Sequence, residues 1–305
     1  MPNKRQGTFE ITSEQLTVEI GICGEPGQYA GPRFDWTGFV HQVKLNKGGH
    51  TFCVPESFIP GEGTGGAGLC NEFISDLPVG YDEAKPGGQF PKIGIGKLTR
   101  LDERGYINGT AYPVEPCPIK IESGEDFARF IAEPVICNGY AFAYEKTLSV
   151  QGTELKIEYK LSNIGDKPIH TLEYVHNFVA IDGNSIGPGC QLRLPLEIAN
   201  RPGYEPSPIL TKDIRTAGDR IEWDAVTGTF YAQYRAADGT VPFYWELTDE
   251  RSGAGMREKG SEPVWHYSLW GQSHVVSLEA FVRVDVLPGG TKSWSRTYEF
   301  FELER

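Results

Sequence analysis

Apolar and polar residues alternate along much of the chain, most clearly in ELKIEYKLS. There Leu155, Ile157, Tyr159 and Leu161 fall on one face, and Lys156, Glu158 and Lys160 on the other. Period two marks a strand with one buried side. NIGD at 163–166 supplies a turn and PIHTLEYVHNFVAI follows as a second strand, so the two are expected to form a β-hairpin. In HVVSLEAFVRVDV, Val276, Leu278, Ala280, Val282, Val284 and Val286 make a continuous apolar face, with Ser277, Glu279, Phe281, Arg283 and Asp285 opposite. LPGG closes that strand, and KSWSRTYEFFEL is its expected antiparallel partner. GEDFARFIAE near 124–133 reads as a short helix, while the Gly-rich segments 60–73 and 85–98 read as long loops.

The 37 Gly and 21 Pro punctuate short runs rich in Val, Ile, Thr, Tyr and Phe, a spacing that predicts an all-β sandwich or barrel. No linker, repeat or charge run divides the chain, so residues 1–305 are expected to form one large antiparallel β domain.

Composition narrows the function. Hydrophobic residues make up 39% and charged residues 23%, the balance of a folded globular chain. A formal charge of −12 repels a phosphate backbone, and no Lys/Arg stripe opposes it, so nucleic acid is not an expected partner. The opening MPNKRQGTFEIT lacks an apolar segment after its basic residues, and no run approaches a membrane span. A soluble cytoplasmic protein with no membrane partner is expected. Six cysteines without C-x-x-C spacing suit reduced, mostly buried thiols.

Few chemical motifs survive inspection. GEGTGG matches G-x-G-x-x-G by letter, but Pro60 precedes it and no βαβ context surrounds it. H-E-x-x-H and G-x-S-x-G are both absent, so neither a metal nor another cofactor is expected. Carboxylates, one central histidine and 12% aromatics remain. Trp36, Trp223, Trp245, Trp265, Trp270 and Trp294 are candidate faces for sugar rings, and equally candidates for the core. Glu279, in the middle of a Val-rich strand, is either solvated or a desolvated general base. Arg283 on the same face would favour its charged form. His176 is either a satisfied core histidine or an acid aimed at substrate.

Together, YEKTLSVQGTELKIEYKLSNIGDKPIHTLEYVHNFVAIDG (144–183) and PVWHYSLWGQSHVVSLEAFVRVDVLPGGTKSWSRTYEF (263–300) resemble the galactose mutarotase-like superfamily, which includes the aldose 1-epimerases and hexose-phosphate 1-epimerases. The resemblance covers the C-terminal half. It implies a large antiparallel β-supersandwich with sugar bound on its concave face. It also implies that His176 is the general acid at the ring oxygen and Glu279 the base at the anomeric hydroxyl. Two departures stand out. Where the family carries an early arginine in an N-R pair, this chain has Asn71 and Glu72, and no histidine occurs between His50 and His170. Lys92 or Lys97 is the candidate replacement for the positive charge. Arg33, Asp35, Trp36, Asn71, Glu72, Lys92, Asn177, His266 and Trp270 complete the expected sugar site. The expected function is interconversion of sugar anomers; the alternatives are a non-catalytic carbohydrate-binding protein and a polysaccharide lyase-type enzyme on the same fold.

Overall fold

A computed structural model describes residues 6–195, 212–234 and 241–304. The first third of the chain contributes β1 (Thr8–Thr12), β2 (Leu16–Gly21), β3 (Phe39–Leu45), β4 (Gly68–Phe73), β5 (Gln89–Lys92), β6 (Gly96–Thr99) and β7 (Val114–Pro116). The middle contributes β8 (Ile119–Ser123), β9 (Phe127–Cys137), β10 (Tyr140–Gln151), β11 (Glu154–Asn163), β12 (Ile169–Phe178) and β13 (Cys190–Arg193). The remainder holds β14 (Ile214–Ala217), β15 (Arg220–Trp223), β16 (Phe230–Tyr234), β17 (Tyr244–Asp249), β18 (Ala254–Gly260), β19 (Val264–Gln272), β20 (Val275–Val286) and β21 (Thr291–Glu302). Among the described residues no helix is long and apolar enough to cross a membrane.

An eight-stranded sheet, ordered β1-β2-β3-β4-β12-β20-β19-β16, packs on a ten-stranded sheet, ordered β14-β15-β13-β17-β18-β21-β11-β10-β9-β8. A third sheet, β5-β6-β7, carries a small aromatic core of its own around Tyr81, Phe90 and Tyr112. The apolar faces read from the sequence fill the main core: Leu155, Ile157, Tyr159 and Leu161 from one side, and the even-numbered residues Val276 to Val286 of β20 from the other. Four of the six cysteines are buried.

Several expectations about pairing fail for a common reason. β11 is not a hairpin with β12; it pairs with β10 and β21, while β12 pairs with β4 and β20 in the opposite sheet. Likewise β21 pairs with β11 and β18 rather than with β20. In each case both strands have an apolar face, and placing them in facing sheets buries the two faces against each other. Asn163 fixes the first crossing by bonding Gly165 N, Lys167 O and Val286 O. The expected helix at 124–133 is instead strand β9, in which Ala128, Phe130 and Ala132 alternate into the core. The segment 60–73 ends in the wholly buried strand β4, and 85–98 holds the β5–β6 pair.

The sandwich interior also holds charge. Arg296 is fully buried between Glu173 and Glu258, at 2.8 Å from each. Its guanidinium also donates to Ala280 O at 2.8 Å, so a single residue of β21 ties β12 and β20 to the opposite sheet. Buried groups of this kind persist where every polar atom finds a partner.

Candidate active site

The outward face of the eight-stranded sheet floors a cleft of about 830 Å³. Alternation decides its lining. Because β20 turns its valines inward, Glu279, Phe281, Arg283 and Asp285 face the cleft, and on β12 His170, Leu172, Tyr174 and His176 do the same. β19 adds His266, Ser268 and Trp270.

His176 and Glu279, brought together from strands a hundred residues apart, have their Nε2 and Oε1 atoms 3.1 Å from each other. They are 5% and 7% exposed. Phe178 stacks on the imidazole with centroids 4.0 Å apart, and Phe34 meets it edge-on at 6.1 Å. Burial pushes the Glu279 carboxyl up to about 8; Arg33 and the Ser277 hydroxyl pull it down, and Glu72 adds to the rise. Burial, helped by the Arg33 charge, holds His176 well below the usual imidazole range. Both shifts favour the neutral forms, so at neutral pH the proton of the pair sits on Glu279. The other ring nitrogen, Nδ1, is buried with no hydrogen-bond partner among the described residues.

A second charged group backs this pair. Arg33, from the loop before β3, reaches Glu72 Oε2 at 3.0 Å, the Thr64 hydroxyl at 3.0 Å and the Tyr174 hydroxyl at 3.2 Å. Lys92 closes on the other carboxylate oxygen of Glu72 at 2.9 Å. Burial alone would raise the Glu72 carboxyl, but Lys92, Arg33 and the Tyr174 hydroxyl hold it below the usual range. The early position expected to carry arginine thus holds its counter-ion, and the guanidinium comes from Arg33, 39 positions earlier. Lys97 is spent on Glu115 at the small sheet. Arg283 does not tune Glu279 as expected, because it pairs with Asp285 at 2.8 Å; Arg33 is the cation that acts there.

Other expected residues divide between the cleft and the interior. Arg33, His266 and Trp270 line the cleft. Glu72 and Lys92 lie buried behind Arg33 and Tyr174. Asn71 turns to the core, where its side-chain carbonyl accepts from Lys146 at 2.6 Å and Tyr159 at 2.9 Å. Asp35 is likewise internal, accepting from Thr37 and Tyr144 beside Lys146. Asn177 points inward to Leu278 O and the Tyr298 hydroxyl, since it follows His176 by one residue. Trp36 packs in the small aromatic core, donating to Gly31 O. Trp223, Trp245 and Trp294 are core residues too. Tyr174 and Phe281, stacked at 4.3 Å on the cleft floor, join the expected site residues, each two positions along its strand from one of the reactive pair. Among the described residues, no group of His, Cys, Asp or Glu side chains is arranged to hold a metal ion.

The chain has a galactose mutarotase-like fold. It is similar to the Slr1438 protein of Synechocystis sp. PCC 6803, with a TM-score of 0.60, 14% identity, and coverage of 99% of this chain and 97% of that one. It is also similar to a galactose mutarotase-like protein of Lactobacillus casei ATCC 334, with a TM-score of 0.58, 11% identity and coverage of 97% and 100%. A galactose mutarotase related enzyme of Lactobacillus acidophilus gives 0.57, 10%, and 98% and 100%. No family model and no curated protein sequence matches the chain.

Proposed function

We propose that the protein is an aldose 1-epimerase that interconverts the anomers of an uncharged sugar by general acid/base catalysis. The observation that carries this reading is the 3.1 Å contact between His176 and Glu279 at the floor of a cleft of about 830 Å³. Ring opening needs one group to take the C1 hydroxyl proton while another gives a proton to the ring oxygen as the C1–O5 bond breaks. Rotation about C1–C2 and reversal of both transfers then close the ring as the other anomer. The sugar gains and loses no proton overall, so a pair sharing one proton suffices without metal or redox chemistry.

The resting proton favours one assignment. Glu279, protonated, donates to the ring oxygen, and neutral His176 accepts from the C1 hydroxyl. These roles are opposite to those the sequence resemblance implies. Opening in one direction is closing in the other, so each group acts once as acid and once as base.

Charge supports an uncharged substrate. Arg33 is committed to Glu72, and Arg283 and His170 both face Asp285. The carboxylates Glu56 and Asp76 also line the cleft, so a sugar phosphate would meet cations already neutralised.

The pH profile tests the assignment. Anomer exchange, followed by polarimetry, is expected to stay level through neutral pH. Above about 8 the pair loses its proton and the rate falls roughly tenfold per pH unit. A rate that stays level beyond pH 8 and declines only around the ordinary carboxylate value of 4.5 would contradict it.

A further inference from the structure

The cleft is longer than the proposed reaction needs. Glu279, Phe281, Arg283 and Asp285 take alternate positions on β20, so the floor runs roughly 20 Å from the reactive pair to Asp285 at the strand rise of ~3.3 Å per residue. An aldose ring seated on His176 and Glu279 reaches only the near half of that floor.

That half contains a built feature. Alternation along β19 assigns His266, Ser268 and Trp270 to the cleft and would turn Trp265 to the other side. The register slips between Val264, paired with Val282, and His266, paired with Phe281, which makes Trp265 the extra residue of a β-bulge. As a result Trp265 and His266 both line the cleft. Bulges interrupt the ladder and recur beside binding sites, where they re-aim a side chain. The Arg283 guanidinium lies 5.5 Å from the centre of the Trp265 ring. Asp285 holds that guanidinium at 2.8 Å and is itself held by His170 at 2.6 Å.

We propose that Trp265 and Arg283 form a second subsite, which holds the neighbouring ring of an uncharged oligosaccharide whose reducing-end ring lies at His176 and Glu279. The inference rests on the proposed epimerase reaction and names its preferred substrate class. The reducing-end ring alone carries a free hemiacetal, so the remaining rings must extend away from the pair. Along this floor they meet an indole wall for their C–H faces. Arg283, Asp285 and His170 supply donors and acceptors for their hydroxyls. The guanidinium is neutralised by Asp285, which suits hydroxyls better than phosphate.

Initial rates of anomer exchange on glucose and galactose, compared with maltose, cellobiose, lactose and maltotriose, test this in wild type, Trp265→Ala and Arg283→Met. At least one oligosaccharide is expected to exceed the monosaccharides in kcat/KM by about tenfold or more, and each substitution is expected to remove most of that advantage. Monosaccharide turnover in the same variants reports whether they fold. Equal kcat/KM for all the sugars, or substitutions that slow mono- and oligosaccharides by the same factor, would overturn the subsite. If wild type exchanges no sugar at all, the epimerase reading fails. Calorimetric titration with the same panel then decides the subsite alone: oligosaccharide binding weakened by Trp265→Ala keeps it, and binding indifferent to Trp265 removes it.

Discussion

Glu279→Gln is expected to cut anomer exchange by about 10³-fold or more while making the protein more stable at neutral pH. The amide keeps the shape of the protonated carboxyl but cannot pass a proton. The stability gain follows from linkage. The folded state holds the Glu279 proton up to about 8, whereas the unfolded chain releases it near 4.5. The wild type therefore loses stability as pH rises through that window, and at pH 7 the loss is roughly 3 kcal/mol, using ~1.4 kcal/mol per unit. Glutamine escapes this loss, so its advantage in melting temperature should be several degrees at pH 7 and should shrink to nothing toward pH 4.5. A variant no more stable than wild type at pH 7 would show that Glu279 is ionised and solvated, and one whose advantage persists in acid would show that the gain does not come from the Glu279 proton.

Arg296→Met is expected to destabilise the fold by about 3–5 kcal/mol, because it leaves Glu173 and Glu258 buried without their cation. Both carboxylates are fully buried, and burial already raises Glu258 against the pull of Arg296. Urea unfolding should show the midpoint falling, with a smaller deficit in acid, where Glu258 takes up a proton. Exchange activity should fall as well, since the Arg296 bonds to Glu173 and Ala280 anchor the strands that carry His176 and Glu279. A loss under ~1 kcal/mol would mean that the network contributes little beyond ordinary packing.

The parts of the site legible in the sequence were those governed by strand parity. Alternation on β20 alone puts Glu279 opposite the valines, and the order of His176 and Glu279 along the chain carried the resemblance to mutarotases. The same parity turns Asn177 to the core, because it follows the cleft-lining His176, and Asn71, which precedes Glu72 on β4, also faces the core. Sheet membership was not legible. A turn such as NIGD or LPGG looks the same whether the chain returns to its own sheet or crosses to the facing one, and burial of both apolar faces decides between them. The segment 124–133 offered aromatic and alanine residues that suit a short helix, yet its period of two, Ala128, Phe130 and Ala132, was the stronger signal. The Arg33–Glu72 contact depends on a long loop folding back onto β4, which no local pattern encodes. Trp265 reaches the cleft only because of a bulge, and a bulge leaves no mark on an otherwise regular alternation.

Magnetisation exchange between the α and β anomers of glucose, galactose and maltose, recorded by NMR with catalytic amounts of protein, tests the central claim most directly. The expected result is exchange far faster than in buffer for at least one uncharged aldose with the wild type, and at the buffer rate with Glu279→Gln. Line broadening that shows sugar bound in the cleft, with no acceleration of exchange for any of them, would contradict the assignment of His176 and Glu279 as an acid/base pair.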